Sequence, residues 1–216
     1  MGDQMSIKDI ASKSYYQNFD FLGAGRGSSN SGKKWELSKL ESYDITNKSV
    51  LDIGCNAGYF LFRLLNKDPK KLIGIDLGDN FIEIANELNT EYFKSDKVEF
   101  IFGDIFEYKL NEKSDLIICF STFHYFIDKQ KAFIDLCYNL LNDKGVFLLE
   151  VEENPKNETP EVDKTPSPAD RTSYDYPNNL MMLEFCRNKF NITERYISTF
   201  QGGALYDRYF YRLEKI

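Results

Sequence analysis

The stretch that decides the fold is Asp52-Ile-Gly-Cys-Asn-Ala-Gly58, which follows a short apolar run and precedes a segment with apolar residues at helical spacing. Gly54 and Gly58 permit a tight turn and let a ligand approach the backbone, because neither carries a Cβ atom. A glycine loop between a buried strand and a helix is the context that nucleotide-type ligands require. The loop therefore predicts a ligand site at the end of the first strand of an α/β domain.

Short apolar runs alternate with longer amphipathic segments from Val50 onward, which is typical of a parallel sheet covered on both faces. The expected strands are Val50–Ile53, Leu72–Leu77, Val98–Phe102, Leu116–Phe120 and Val146–Val151, and the expected helices are Tyr59–Asn66, Asn80–Phe93 and Asp128–Leu141. Asp79 is placed to cap one helix and Gly145 to follow another. We therefore expect five βα units.

The two ends of the chain and one internal segment depart from this alternation. We expect a helix over Asn178–Phe190 and two strands, Ile192–Phe200 and Arg208–Glu214, joined through Gly202-Gly203. Residues 1–49 contain the glycine- and serine-rich stretch Gly23–Gly32, which disfavours regular structure, and residues 153–177 hold five of the six prolines. Both segments are interpreted as lids or as disordered surface. We expect one domain over 1–216, with its core at 50–152 and a closing part at 178–216.

Composition excludes several classes of function. The net charge of −7 and the absence of a basic run argue against nucleic acid as a partner. The four cysteines form no Cys-x-x-Cys pair and only one histidine is present, which argues against a metal site and a disulfide framework. No stretch is long and apolar enough to span a bilayer. We expect a soluble, cytoplasmic protein, and the sequence does not indicate its oligomeric state.

Acidic residues follow the apolar runs at three successive strand ends. Asp52 precedes the glycine loop, where it would repel a pyrophosphate but attract the ammonium and sulfonium of S-adenosylmethionine. Asp76 lies where a ribose would bind across the point at which the strand order reverses. Asp104 can accept a hydrogen bond from an adenine amino group, and Ile105 can pack against the ring. Together these residues favour S-adenosylmethionine over NAD as the ligand.

The chain resembles class I S-adenosylmethionine-dependent methyltransferases in four ordered motifs. They are Val50-Leu-Asp-Ile-Gly-Cys-Asn-Ala-Gly-Tyr-Phe60, Ile73-Gly-Ile-Asp-Leu77, Gly103-Asp-Ile105 and Asp115-Leu-Ile-Ile-Cys-Phe120. The resemblance implies a Rossmann-like, doubly wound α/β fold, with a mostly parallel seven-stranded sheet and an antiparallel C-terminal strand. It implies S-adenosylmethionine as cofactor, released as S-adenosylhomocysteine, with Leu77 and Phe120 also binding it. Asn56 replaces the usual glycine, but asparagine tolerates positive φ.

The segment after the fourth expected strand contains the only histidine, His124. Its ordinary pKa near 6.5 suits it to accept a proton from an attacking hydroxyl or phosphate oxygen. The alternative is that His124 packs the following helix or orients the substrate. Tyr125 beside it and Arg171 and Tyr174 in the proline-rich segment are candidate substrate contacts, because they offer donors and flat surfaces to a sugar or phosphate.

Two finer resemblances bear on the substrate. Ser121-Thr-Phe-His124 with Leu148–Glu153 looks like the methyltransferase domain of bacterial O-antigen chain-terminating enzymes, which implies O-methylation of a small acceptor such as a sugar, a nucleotide-sugar or a phosphate-linked precursor of surface polysaccharide. The stretch Arg26–Trp35 is similar to part of the tRNA wobble-uridine carboxymethyltransferase, which implies donor contacts from Lys34, and Tyr16 and Arg26 are candidates to close over the methionine carboxylate. A tRNA-modifying enzyme and a non-catalytic regulatory subunit remain alternatives.

Overall fold

The computed structural model describes residues 6–24, 27–153, 177–198 and 207–216. They divide into two compact units, Met1–Ser114 and Asp115–Ile216. The first unit contains the loop at residues 54–58, and the second contains His124. Their assignment to one domain stays a prediction.

The strands are β1 (Ser49–Ile53), β2 (Lys71–Asp76), β3 (Val98–Phe102), β4 (Ser114–Cys119), β5 (Leu141–Glu152), β6 (Phe190–Ile197) and β7 (Arg208–Lys215). They form one mixed seven-stranded sheet in the order β3-β2-β1-β4-β5-β7-β6. The pairs β1–β2 and β2–β3 are parallel, whereas β7 runs antiparallel to both β5 and β6. The predicted Rossmann-like α/β sheet with its antiparallel C-terminal strand is therefore confirmed.

The helices are α1 (Ile7–Ala11), α2 (Ser31–Leu37), α3 (Tyr59–Leu64), α4 (Asp79–Leu88), α5 (Gln130–Leu140) and α6 (Asn179–Cys186). A π-helical turn, Asn89–Phe93, continues α4 to the predicted end of that helix. Short 3-10 turns lie at Asp20–Leu22, Leu40–Ser42, Leu65–Lys67 and Phe123–Tyr125. The four helices α3 to α6 agree with the sequence periodicity to within a few residues.

Two predicted helix boundaries are wrong. Gly78 is the N-cap of α4 and has an extended conformation. Asp79 is the first helical residue, where its negative charge interacts favourably with the helix dipole. The helix α5 ends at Leu140, and Gly145 lies inside β5 rather than at a helix end. The positive φ at this position belongs to Lys144 (61°) and not to Gly145, so the glycine is a misleading stop signal.

The expected third βα unit has no helix. Residues 103–113 form turns, in which the amides of Glu107 and Tyr108 donate to the Asp104 carbonyl at 3.0 and 2.8 Å. The Asp104 side chain accepts a hydrogen bond from the Phe106 amide at 2.9 Å, and bonds of this kind compete with those of a regular helix. Four of the five predicted βα units are therefore present.

The N-terminal segment contains more regular structure than its composition indicated. The helix α2 begins inside the Gly23–Gly32 stretch, because the Asn30 side chain accepts a hydrogen bond from the Lys33 amide at 3.0 Å and caps the helix. The expectation that this stretch lacks regular structure is therefore wrong for Ser31 and Gly32.

Candidate functional site

The loop between β1 and α3 has the turn that its glycines predict. Gly54, Asn56 and Gly58 all have positive φ, at 76°, 51° and 85°. Asn56 supports its own left-handed conformation, since its side-chain oxygen accepts the amide of Ala57 at 2.9 Å. At Gly58 a Cβ atom would lie 2.6 Å from the Phe100 ring, so backbone conformation and packing both require glycine. The tolerance expected of Asn56 is confirmed.

The Asp76 carboxylate ties this loop to the end of β2. Its two oxygens accept hydrogen bonds from the amides of Asn56 and Gly78, each at 2.8 Å. Each oxygen of an ionised carboxylate can accept more than one hydrogen bond, so this half-buried group retains acceptor capacity. Leu77 follows it with 68% of its surface exposed. An acceptor beside an exposed apolar side chain suits a ribose with an adjoining flat base.

Asp104 and Ile105 lie just beyond β3, the next strand of the same parallel set. Asp104 is half-buried and Ile105 is 5% exposed. The amide of Gly103 donates to the Asp76 carbonyl at 3.0 Å, which connects the residues after β3 to the end of β2. Because parallel strands end at the same edge of a sheet, the ends of β1, β2 and β3 bring the predicted acids to one edge of the first unit.

Asp52 is the most unusual of these acids because it is buried without a full set of partners. It is 2% exposed, and its Oδ2 atom has no hydrogen-bond partner among the residues that the structure describes. Burial raises the pKa of the Asp52 carboxyl to about 8, with a further contribution from the charge of Asp76. A buried carboxyl with an unpaired oxygen beside a ligand loop fits the cationic amino group of a methionine moiety better than a pyrophosphate.

Three predicted cofactor contacts lie in the N-terminal segment. Tyr16 is half-buried and lies between Ser14 and Gln17, whose side chains contact the loop at 54–58. Lys34 is buried within α2 and is only 6% exposed. Arg26 lies outside the described residues. The roles of these three residues toward the cofactor remain predictions.

In the second unit, the predicted site residues follow β4. Phe120 is 5% exposed and packs edge-on against Phe210, with ring centroids 5.0 Å apart. His124 lies in the 3-10 turn Phe123–Tyr125 and is 9% exposed, with its ring 4.3 Å from that of Tyr125. Tyr125 itself is 62% exposed. Arg171 and Tyr174 lie outside the described residues.

A buried carboxylate that sequence reasoning missed supports the start of this turn. Ser121 has a positive φ of 52°, which is unfavourable for a serine. Its amide and hydroxyl both donate to Glu150 Oε2, at 2.8 and 3.1 Å, and the Ser198 hydroxyl donates to Glu150 Oε1 at 2.7 Å. Arg208 donates to the Ser121 hydroxyl at 3.1 Å and pairs with Glu152. These contacts fix the backbone three residues before His124.

Among the residues that the structure describes, no group of three or more His, Cys, Asp or Glu side chains is arranged to hold a metal ion. The described helices include none that is long and apolar enough to cross a membrane. The four cysteines are buried as free thiols, and burial raises the pKa of Cys55 and of Cys137 well above the ordinary value. The thiols of Cys55 and Cys137 therefore stay protonated and unreactive at neutral pH.

We predict that Asp52→Asn removes a pH dependence of stability. Because the carboxyl pKa is about 8 in the folded chain and near 3.8 in the unfolded chain, the unfolded state loses its proton first as pH rises. The free energy of unfolding of the wild type should then fall between pH 5 and 8, by up to about 1.4 kcal/mol per pH unit from this group. Urea unfolding across this range measures the slope.

The exposed Asp79 provides the matched control, and Asp79→Asn should keep the slope of the wild type. Slopes are compared rather than absolute stabilities, because the amide in Asp52→Asn is also buried. An Asp52→Asn slope equal to that of the wild type would show that Asp52 is ionised in the fold.

We further predict that Glu150→Gln disturbs the His124 turn. Glutamine is uncharged and has an amide donor in place of one carboxylate oxygen, so it weakens the bonds from Ser121 and requires the Ser198 hydroxyl to accept instead of donate, at a cost of about 1–3 kcal/mol. His124 is the only histidine, so its imidazole C–H signals in a carbon–proton NMR spectrum are unambiguous. In Glu150→Gln these signals should shift or broaden well below the melting temperature.

Glu153→Gln is the control for this experiment. Glu153 is similarly buried and directly follows β5, but its partners are Arg195 and Tyr211. The His124 signals should stay where they are in this variant. Equal changes in both variants would mean that Glu150 supports the unit as a whole and not the turn.

A family model described as a methyltransferase domain matches residues 45–187. Among curated proteins, the malonyl-(acyl-carrier protein) O-methyltransferase of Acetivibrio thermocellus is 35% identical over 115 residues, which are 51% of this chain and 39% of that protein. The tRNA U34 carboxymethyltransferase of Campylobacter jejuni is 33% identical over 118 residues, which are 53% of this chain and 39% of that protein. The match thus spans about two fifths of each relative's length.

Solved structures show the same fold at low sequence identity. A putative S-adenosylmethionine-dependent methyltransferase from Listeria monocytogenes has a TM-score of 0.68 at 16% identity, covering 87% of this chain and 100% of that one. The N-methyltransferase NodS from Bradyrhizobium japonicum, in complex with S-adenosyl-L-homocysteine, has a TM-score of 0.66 at 16% identity, covering 98% and 99%. These likenesses confirm the architecture.

Proposed function

The chain belongs to the methyltransferase domain family, and we propose that it methylates an oxygen atom of a small polar acceptor. S-adenosylmethionine is the methyl donor and S-adenosylhomocysteine its product. A sugar, a nucleotide-sugar or a phosphate-linked precursor of bacterial surface polysaccharide is the acceptor class that we propose. The acceptor class rests on the motifs Ser121–His124 and Leu148–Glu153.

The observation that carries the proposal is the Asp76 carboxylate, which two loop amides hold at 2.8 Å while it keeps acceptor capacity. A carboxylate fixed in this way can accept hydrogen bonds from both hydroxyls of a ribose without reorganising. Hydrogen bonds to a charged group contribute roughly 1.5–3 kcal/mol each. Asp76 would thus fix the nucleoside, with Leu77 and Ile105 packing on the adenine and Asp104 accepting from its amino group.

Asp52 would hold the amino group of the methionine moiety. Its Oδ2 atom has no partner among the described residues, and a pKa of about 8 keeps the carboxyl mostly neutral at neutral pH, which avoids the larger cost of burying a charge. A bound ammonium would lower that pKa and make the carboxyl ionise. The positive φ values at Gly54, Asn56 and Gly58 give the loop the tight turn that would surround the donor. This set of contacts favours S-adenosylmethionine over a dinucleotide.

When bound, S-adenosylmethionine supplies a methyl carbon that the sulfonium activates for in-line displacement. The chain must then bind and orient the acceptor oxygen, and positioning can supply about 7–11 kcal/mol of the barrier reduction. We assign proton acceptance from the acceptor hydroxyl to His124, with about 10²–10⁴-fold as the range for such a base. Phe120 would line the donor side, and Tyr125, Arg171 and Tyr174 would contact the acceptor.

The relatives favour two different acceptors. The name of the malonyl-(acyl-carrier protein) relative specifies an O-methyltransferase, which supports oxygen as the atom methylated. The tRNA U34 carboxymethyltransferase relatives favour tRNA as a second candidate. The net charge of −7 disfavours that candidate, because RNA binding relies on basic side chains near phosphates. Tight RNA binding that weakens steeply with salt would select the tRNA function.

We predict that Asp76→Ala weakens S-adenosylmethionine binding at least about tenfold, because it removes charge-assisted hydrogen bonds to the ribose. Calorimetric titration of the full chain measures the affinity. Asp79→Ala is the matched control, since it removes an exposed carboxylate three residues away, and it should bind like the wild type. A wild type that binds NAD but not S-adenosylmethionine would contradict the proposed function.

A further inference from the structure

Residues 14–17 contact the loop at 54–58 although they precede the residues that match the family model, 45–187. The central contact is Gln17, which is 5% exposed. Its Nε2 atom donates to the Cys55 carbonyl at 3.1 Å, and its Oε1 atom accepts the amide of Tyr59 at 3.1 Å. One buried side-chain amide therefore bonds to both ends of the loop.

The hydrogen bond from the Tyr59 amide to Gln17 is important for the start of helix α3. Tyr59 is the first residue of α3, and the first amides of a helix have no partner within the helix. The N-cap residue is Gly58, which has no side chain to accept one of them. Gln17 takes the place of the missing cap from 42 residues away in the sequence. A residue of the N-terminal segment thus caps the start of α3.

Neighbouring residues hold Gln17 and the loop in the same arrangement. The fully buried Ser14 accepts the Gln17 amide at 3.1 Å, and its hydroxyl lies 3.5 Å from Asn56 Oδ1. The Tyr59 hydroxyl donates to Asp20 Oδ1 at 2.7 Å. The segment therefore meets the loop at its second and third residues and at the first residue of α3.

We propose that Gln17 is a positioning residue of the cofactor site, whose amide fixes the loop at 54–58 in the form that binds the methyl donor. The inference rests on the proposed function, since it concerns affinity for that donor. Gly54 and Gly58 give this five-residue loop more accessible backbone conformations than other residues would, so contacts from outside the loop help to select one of them. Fixing that form before binding removes an ordering cost from the affinity.

The test compares Gln17→Met with Ser38→Ala by calorimetric titration of the full chain with S-adenosylhomocysteine. Methionine keeps the length and volume of glutamine but can neither donate to Cys55 nor accept from Tyr59. Loss of two net hydrogen bonds that order the loop should weaken binding about tenfold. Ser38 is a buried hydroxyl of the same segment that bonds to Trp35 and Leu40, so Ser38→Ala should lower the melting temperature and leave the affinity unchanged.

The outcomes separate this inference from the proposed function. If the wild type binds and Gln17→Met binds equally well, or if Ser38→Ala weakens binding as much, Gln17 is not a positioning residue and the proposed function stands. A wild type without affinity for the product overturns both.

If Gln17→Met fails to fold, amide hydrogen exchange of the wild type tests the role of Gln17 instead. Coupling between sites is reciprocal, so the ligand should slow amide exchange in residues 12–20 as well as in 52–60. Protection confined to 52–60 would overturn the inference.

Discussion

The Asp76 carboxylate is the contact on which the candidate site depends, because it joins the loop after β1 to the end of β2. The Asn56 and Gly78 amides converge on its two oxygens, and the loop amides of Gly54 and Cys55 donate to the Ile75 carbonyl at 2.8 and 3.2 Å. The parallel register of β1 and β2 places all of these groups together. The placement of the acids and the start of the loop therefore follow from one strand pairing.

The buried acids of the molecule differ in how they are satisfied. In the second unit, Glu150 accepts three hydrogen bonds from serines, and Glu152 and Glu153 are paired with Arg208 and Arg195. Asp52 in the first unit keeps an unpaired oxygen and a raised pKa. A buried polar atom without a partner is costly, and this cost beside a glycine loop is the reason for proposing that the amino group of the methyl donor pairs with Asp52.

Much of the fold could be predicted from the sequence, because the spacing of apolar residues along a strand or helix shows which of its faces is buried. The glycine loop and the acids at the strand ends could be predicted for the same reason, since each is local to a strand end. Errors arose where local signals compete: Gly145 resembled a helix stop but lies in β5, and Asp79 resembled a cap although Gly78 takes that position. Gln17 and Glu150 could not be predicted, because their partners are 42 and 29 residues away and no periodicity encodes such pairs.

Proton release on cofactor binding shows whether Asp52 holds the cationic end of the methyl donor, as we propose. The full chain is titrated with S-adenosylmethionine at pH 7 in two buffers of different ionisation enthalpy. With a pKa of about 8 before the donor binds, the Asp52 carboxyl should ionise against the ammonium and release about one proton, and Asp52→Asn should release none. Binding without proton release, or with equal release in the variant, would show that Asp52 does not ionise against the ammonium of the donor.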